Sequence, residues 1–138
     1  MAADAYRAYR DAQVSTATPG ELLLLLYGGA IRFASQAEQM LRAGRGQEAH
    51  HLLVRTQAVV AEMSASLDFQ HPLAPHLFRL YTYMNERLVE ANVKKDPAPI
   101  GEVIQMLRSL REAWETVIKG AAKEAAAPSA ARGISHAV

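Results

Sequence analysis

The sequence predicts an all-α protein: an antiparallel up-down four-helix bundle with an N-terminal leader segment and a disordered C-terminal tail. Three observations lead there. Apolar residues recur every three to four positions over four successive stretches, as in helices that bury one face. The breaks between stretches are short and carry proline, glycine or charged residues that stop helices. Period-two alternation, the mark of a half-buried strand, runs over no useful length. The expected division is a leader over residues 1–17, a bundle over 18–119 and a tail over 120–138, with helices at about 19–43, 47–69, 73–93 and 97–119.

The first helix has a strong start signal. Thr18 serves as N-cap, Pro19 suits the first helical position because its missing N–H would be unpaired there anyway, and Glu21 completes a capping box. Gly44 and Gly46 flank Arg45 in a turn. The second stripe then reads Leu52, Thr56, Val59, Val60, Met63 and Leu67. His71-Pro72-Leu73-Ala74-Pro75 ends it, because neither proline donates a backbone hydrogen bond. The third stripe uses Leu73, Leu77, Leu80, Tyr81, Met84, Leu88 and Ala91. Lys94 and Lys95 place cations at its carbonyl end, and Asp96 with Pro97 opens the fourth as N-cap and first residue. The fourth stripe is Ile100, Val103, Ile104, Leu107, Leu110, Trp114, Val117 and Ile118. Short connections between amphipathic helices imply antiparallel neighbours. The Ala-rich tail carries little that could anchor a core, and an unpacked short helix is marginal in water.

Composition bounds the function. A chain of 138 residues suits one domain, long enough to bury roughly two-thirds of its unfolded surface. The absence of cysteine removes disulfides and thiolate metal sites, and it fits a reducing compartment. Fifteen Lys+Arg against fourteen Asp+Glu give a net charge of +1, with no field to hold nucleic acid or an anionic membrane surface.

Within STATPGELLLLLYGGAIR lie five consecutive leucines, Leu22 to Leu26. Successive helical residues turn by about 100°, so these side chains point in every direction and cannot form one stripe. The apolar stretch is closed by Glu21 and Arg32, short of the about 20 residues a membrane span needs, and no membrane insertion is expected. The preceding MAADAYRAYRD lacks the basic opening of a signal peptide. Something other than lipid must cover more than one face of this helix. Tyr6, Tyr9 and Val14 make the leader one candidate cover.

Catalytic chemistry is sparse. Glu48 and His51 give one Glu-x-x-His spacing, but carboxylate-bridged di-iron bundles need two such pairs and two further carboxylates, so neither metal nor cofactor is expected. Gly28-Gly29 lacks the spacing and the lysine of a phosphate loop, and close helix packing is its expected use. No serine sits in a nucleophile elbow. The architecture alone admits an alternative reading, a four-helix histidine phosphotransfer module. Neither His50, His51 nor His76 has the lysine and glycine neighbours of such a site.

A set of motifs in fixed order carries a family resemblance. Tyr9, Val14-Ser15-Thr16-Ala17-Thr18-Pro19-Gly20-Glu21-Leu22 and Leu26-Tyr27-Gly28-Gly29-Ala30-Ile31 come first. Ser66-Leu67-Asp68, Leu80-Tyr81-Thr82-Tyr83-Met84 with Leu88 and Ala91-Asn92, and Leu110-Arg111-Glu112-Ala113-Trp114 follow. Together, from about Tyr9 to Ile118, they resemble the FliS family of flagellar secretion chaperones.

The resemblance implies a cytoplasmic, non-enzymatic bundle that binds the disordered C-terminal region of flagellin, prevents premature polymerisation and delivers it to the type III export apparatus. It leaves room for docking to the export gate and to a co-chaperone or anti-sigma factor, and the exposed leucines leave room for a homodimer. The expected partner surface comprises Tyr9, Leu22, Leu25, Leu26, Tyr27, Val59, Met63 and Tyr83, with Tyr9 as a plug displaced by flagellin. The leucines are divided between core and partner, and Val59 and Met63 are shared between the two. Tyr27, Tyr81 and Trp114 also suit structural aromatics bonded at their polar ends. Tyr83 lies about 200° from Tyr81 and faces elsewhere.

Overall fold

The structure, a computed structural model, describes residues 17–126, and its helices are α1 (Pro19–Arg42), α2 (Gly46–Ala65), α3 (Ala74–Lys94) and α4 (Ala98–Ala126). The expected leader, with Tyr9, and the end of the tail lie outside the described residues. Each helix packs on its chain neighbours, and α4 closes the ring against α1, so α3 stands diagonally across from α1. This is the expected all-α four-helix bundle.

The start of α1 follows the expected capping box. The Glu21 amide donates to the Thr18 hydroxyl at 3.1 Å, and the Thr18 amide donates to the Glu21 carboxylate at 2.9 Å. Its end is a Schellman motif: Gly44 adopts φ +76°, its amide reaches the Leu41 carbonyl at 3.1 Å, and the Arg45 amide reaches the Met40 carbonyl at 2.8 Å. The helix α3 ends differently, with Lys95 in the left-handed region at φ 53° and its ammonium donating to the Asn92 side chain at 2.6 Å.

Two boundaries depart from expectation. The second helix stops at Ala65 rather than about residue 69, because side chains capture the backbone there: the Ser66 hydroxyl donates to the Met63 carbonyl, and Asp68 accepts from the Gln70 amide. At the other end, α4 runs past residue 119 to Ala126, so residues 120–126 are helical and not part of a disordered tail. The alanines there favour helix once packed turns precede them. Asp96 caps as expected, accepting from the Ala98 amide at 3.0 Å.

The core is built from the predicted stripes, except that Leu73, which stands ahead of α3 as its N-cap, and Val117, at the edge of the α4 stripe, are exposed. Leu23, Tyr27, Ala30, Ala34 and Ala37 of α1 meet Leu53, Val60 and Met63 of α2, Leu77, Tyr81, Met84 and Leu88 of α3, and Ile100, Val103 and Leu107 of α4. Small alanines on α1 let the neighbouring helices approach closely.

Candidate functional site

The five leucines separate by helical phase. Leu23 points into the core, Leu24 and Leu26 are half-buried on the two flanks, and Leu22 and Leu25 face outward at 37% and 38% exposure. The flanks are placed by their neighbours: Gly20, on the side of Leu24, approaches Ile118 of α4, while Phe33, on the side of Leu26, meets Arg55 of α2. The core therefore absorbs Leu23 fully and Leu26 in part, and Leu24 is half-buried beside it. Two are left over.

Other residues expected at the partner surface lie in different places. Val59 is half-buried against the core on α2. Tyr27 and Met63, at 0% and 1% exposure, are core residues that present nothing to a partner in this conformation. Their positions in the stripe and the bulk of the tyrosine ring explain this, since the centre of the bundle has room for large side chains. Tyr83 is exposed, unlike the buried Tyr81, and stands at the seam of α3 and α4. It does not share a face with Leu22 and Leu25, because α3 is diagonal to α1.

Tyr27 anchors a buried polar chain. Its hydroxyl meets that of Tyr81 at 2.5 Å and accepts from the Trp114 indole N–H at 3.2 Å, linking α1, α3 and α4. Burial pushes both phenols above their ordinary pKa. At the α3–α4 seam, Glu102 accepts from the Tyr83 hydroxyl at 2.6 Å and from Arg87 at 2.6 Å. Those bonds hold its carboxyl below the usual range and raise the Tyr83 phenol. This seam is polar and already satisfied.

A second apolar feature was not singled out from the sequence. Between α2 and α3 runs an open groove of about 540 Å³, lined by Ala61, Ser64, Thr82, Asn85, Glu86 and Val89 and floored by Tyr81. The exposed Phe78 packs its edge on Phe69 at 5.8 Å near one end, and Val54 and Val93 are exposed on the same two helices. The signal was present: Phe78, Thr82, Asn85 and Val89 recur at helical spacing beside the core stripe. Among the described residues the Asn85 carboxamide oxygen, buried there, has no hydrogen-bond partner.

Gly28 and Gly29 do not serve close helix packing. Among the described residues nothing lies within 4 Å of a Cβ built on Gly28, whereas one on Gly20 would sit 3.0 Å from Ile118. Close approach belongs to Gly20, at the point where α1 begins beside the later part of α4.

Three of the histidines among the described residues lie on the surface. His50, His51 and His76 are exposed, and the His50 ring bonds the Asn92 carboxamide at 2.8 Å. Among the described residues no group of three or more His, Asp or Glu side chains is placed to hold a metal, and no helix is long and apolar enough to cross a membrane. What the surface offers is apolar contact area.

The family model described as flagellar protein FliS matches residues 2–121. The chain belongs to the FliS family. It is 34% identical to the flagellar secretion chaperone FliS of Bacillus subtilis over 86% of this chain and 90% of that protein. Identity to the flagellar secretion chaperone FliS of Campylobacter jejuni is 32%, over 82% and 90% of the two chains. The flagellar secretion chaperone FliSB of Pseudomonas aeruginosa is also 32% identical, over 78% and 86%. A FliS-family role is that of a flagellar export chaperone, whose partner is an export substrate.

Proposed function

We propose that this chaperone binds the disordered C-terminal region of flagellin, prevents its premature polymerisation and delivers it to the type III export apparatus from the cytoplasm. The observation that supports this most directly is the surplus in the leucine run: Leu22 and Leu25 face outward from a helix whose core face is already filled by Leu23 and Tyr27. Apolar surface of this kind marks a partner site. In this reading flagellin's end folds into short helices as it binds, with apolar faces on Leu22, Leu25, Leu26 and Val59 and in the α2–α3 groove. The ordering entropy is offset by burial over a wrapped area. Tyr9 covers part of this surface before flagellin arrives, and Tyr83 meets a more distant part of the wrapped segment. No cofactor takes part.

Isothermal titration with a peptide of the flagellin C-terminal region from the same organism tests the reading. Binding with a large negative heat-capacity change is expected. No binding at high micromolar concentration would overturn it. Replacing both Leu22 and Leu25 by serine should weaken binding while leaving the helical signal unchanged.

A further inference from the structure

Two arginines from different helices converge on one aromatic ring. The guanidinium carbon of Arg55, on α2, lies 4.6 Å from the centroid of the Phe33 ring on α1, and that of Arg32 lies 5.7 Å from it. Both arginines are exposed and Phe33 is half-buried. Among the described residues, Arg42, Arg45 and Arg87 each pair with a carboxylate, whereas no ion pair involves Arg32, Arg55, Arg79, Arg108 or Arg111, and of these only Arg32 and Arg55 meet on one ring. The other titratable groups nearest along these helices are His51, one turn before Arg55, Glu62, two turns after it, and Glu38, six residues after Arg32, which pairs with Arg42.

Cations gathered without a counter-charge repel one another, and the ring's negative face offsets only part of that. The same stacking restricts two side chains that are otherwise costly to order. A guanidinium fork held in place loses less freedom when it takes up a carboxylate. On the outward side of α1, one turn before Arg32, the surface among the described residues is bare at Gly28 and Gly29: a Cβ on Gly29 would meet the Arg32 guanidinium itself, at 3.9 Å. A partner's backbone can therefore come close to the helix beside the two cations.

We propose that Arg32, Phe33 and Arg55 form a docking point for an acidic segment of a partner protein. Carboxylates of the segment bridge the two guanidiniums while its backbone passes over Gly28 and Gly29. The site lies on the same outward face of α1 as Leu22 and Leu25, two turns beyond Leu25, and its contribution is charge-assisted and geometrically specific.

Fluorescence anisotropy on the full chain tests it, with a labelled short peptide of glutamate and alanine as probe and its glutamine counterpart as control. The expected result is that the acidic peptide binds and the glutamine peptide does not. The double variant R32Q/R55Q should bind at least about tenfold more weakly. Phe33→Leu, which keeps the bulk and removes the ring quadrupole, should weaken binding by a smaller factor. Removing the same charge elsewhere, in R79Q/R108Q, should change little. Equal loss in both double variants, or none in R32Q/R55Q, would overturn the proposal, as bulk charge would then account for the binding. A gain in affinity on replacing Asp4 and Asp11 by asparagine would overturn it in favour of the chain's own leader as occupant. A change of mass by light scattering in R32Q/R55Q would do so in favour of a second copy.

Discussion

The Tyr27 hydroxyl lies 2.5 Å from the Tyr81 hydroxyl at the centre of the bundle, and the Trp114 indole donates to Tyr27 from a third helix. Tyr27 is the shared member of this chain, so its loss strands two groups where the loss of Tyr81 strands one. Tyr27→Phe should cost about 1–3 kcal/mol and Tyr81→Phe less. Urea unfolding of the two variants measures the order, and equal midpoints would show that the indole finds another acceptor.

Alkali should destabilise the bundle through the same pair. Both phenols titrate above their ordinary value of 10.0 because burial disfavours phenolate. The unfolded chain therefore loses these protons first, and the stability they contribute is complete below about pH 10 and lost as pH rises above it. Urea midpoints should fall above pH 10, and the fall should flatten in the double Tyr27→Phe, Tyr81→Phe variant.

Thr18→Ala should cost about 1 kcal/mol, since it removes the acceptor for the Glu21 amide at the start of α1. The Glu21 carboxyl is held below its ordinary value by its bonds to Thr18. Its contribution is present above about pH 4.5 and is lost as pH falls through the lowered value. An acid titration of the urea midpoint should be shallower in Glu21→Gln than in the unaltered chain.

The glycines should respond with opposite signs. Gly28→Ala fills open space inside a helix and should stabilise by about 0.5–1 kcal/mol. Gly44→Ala forces a side chain onto φ +76° and should destabilise by about 1 kcal/mol. Thermal unfolding of both variants gives the signs directly, and a destabilising Gly28→Ala would mean that a segment beyond the described residues packs there.

Much of the fold was legible because each local signal acts over a few residues. The capping box at Thr18, the turn at Gly44 and the core stripes of α2, α3 and α4 concern neighbours along one helix, and the structure reproduces them except at Leu73 and Val117, which stand exposed. The end of α2 was missed where hydrophobic spacing continued through Leu67 while Ser66 and Asp68 bonded the backbone instead. The candidate site was read less completely. Leu22 and Leu25 were named, but the groove formed by Ala61, Thr82 and Val89 exists only where two helices meet.

By itself the sequence determined four amphipathic helices, their order, their caps and a leucine run too apolar for one face, because periodicity and capping are local. Only the tertiary structure decided which surplus stayed outside. It buried Tyr27 and Met63, left Leu22 and Leu25 exposed, sent Tyr83 to a polar seam and brought Arg55 onto the Phe33 ring. Those outcomes depend on the rotation of each helix about its axis against its neighbours. That rotation is settled by packing across the bundle, between residues far apart in the chain.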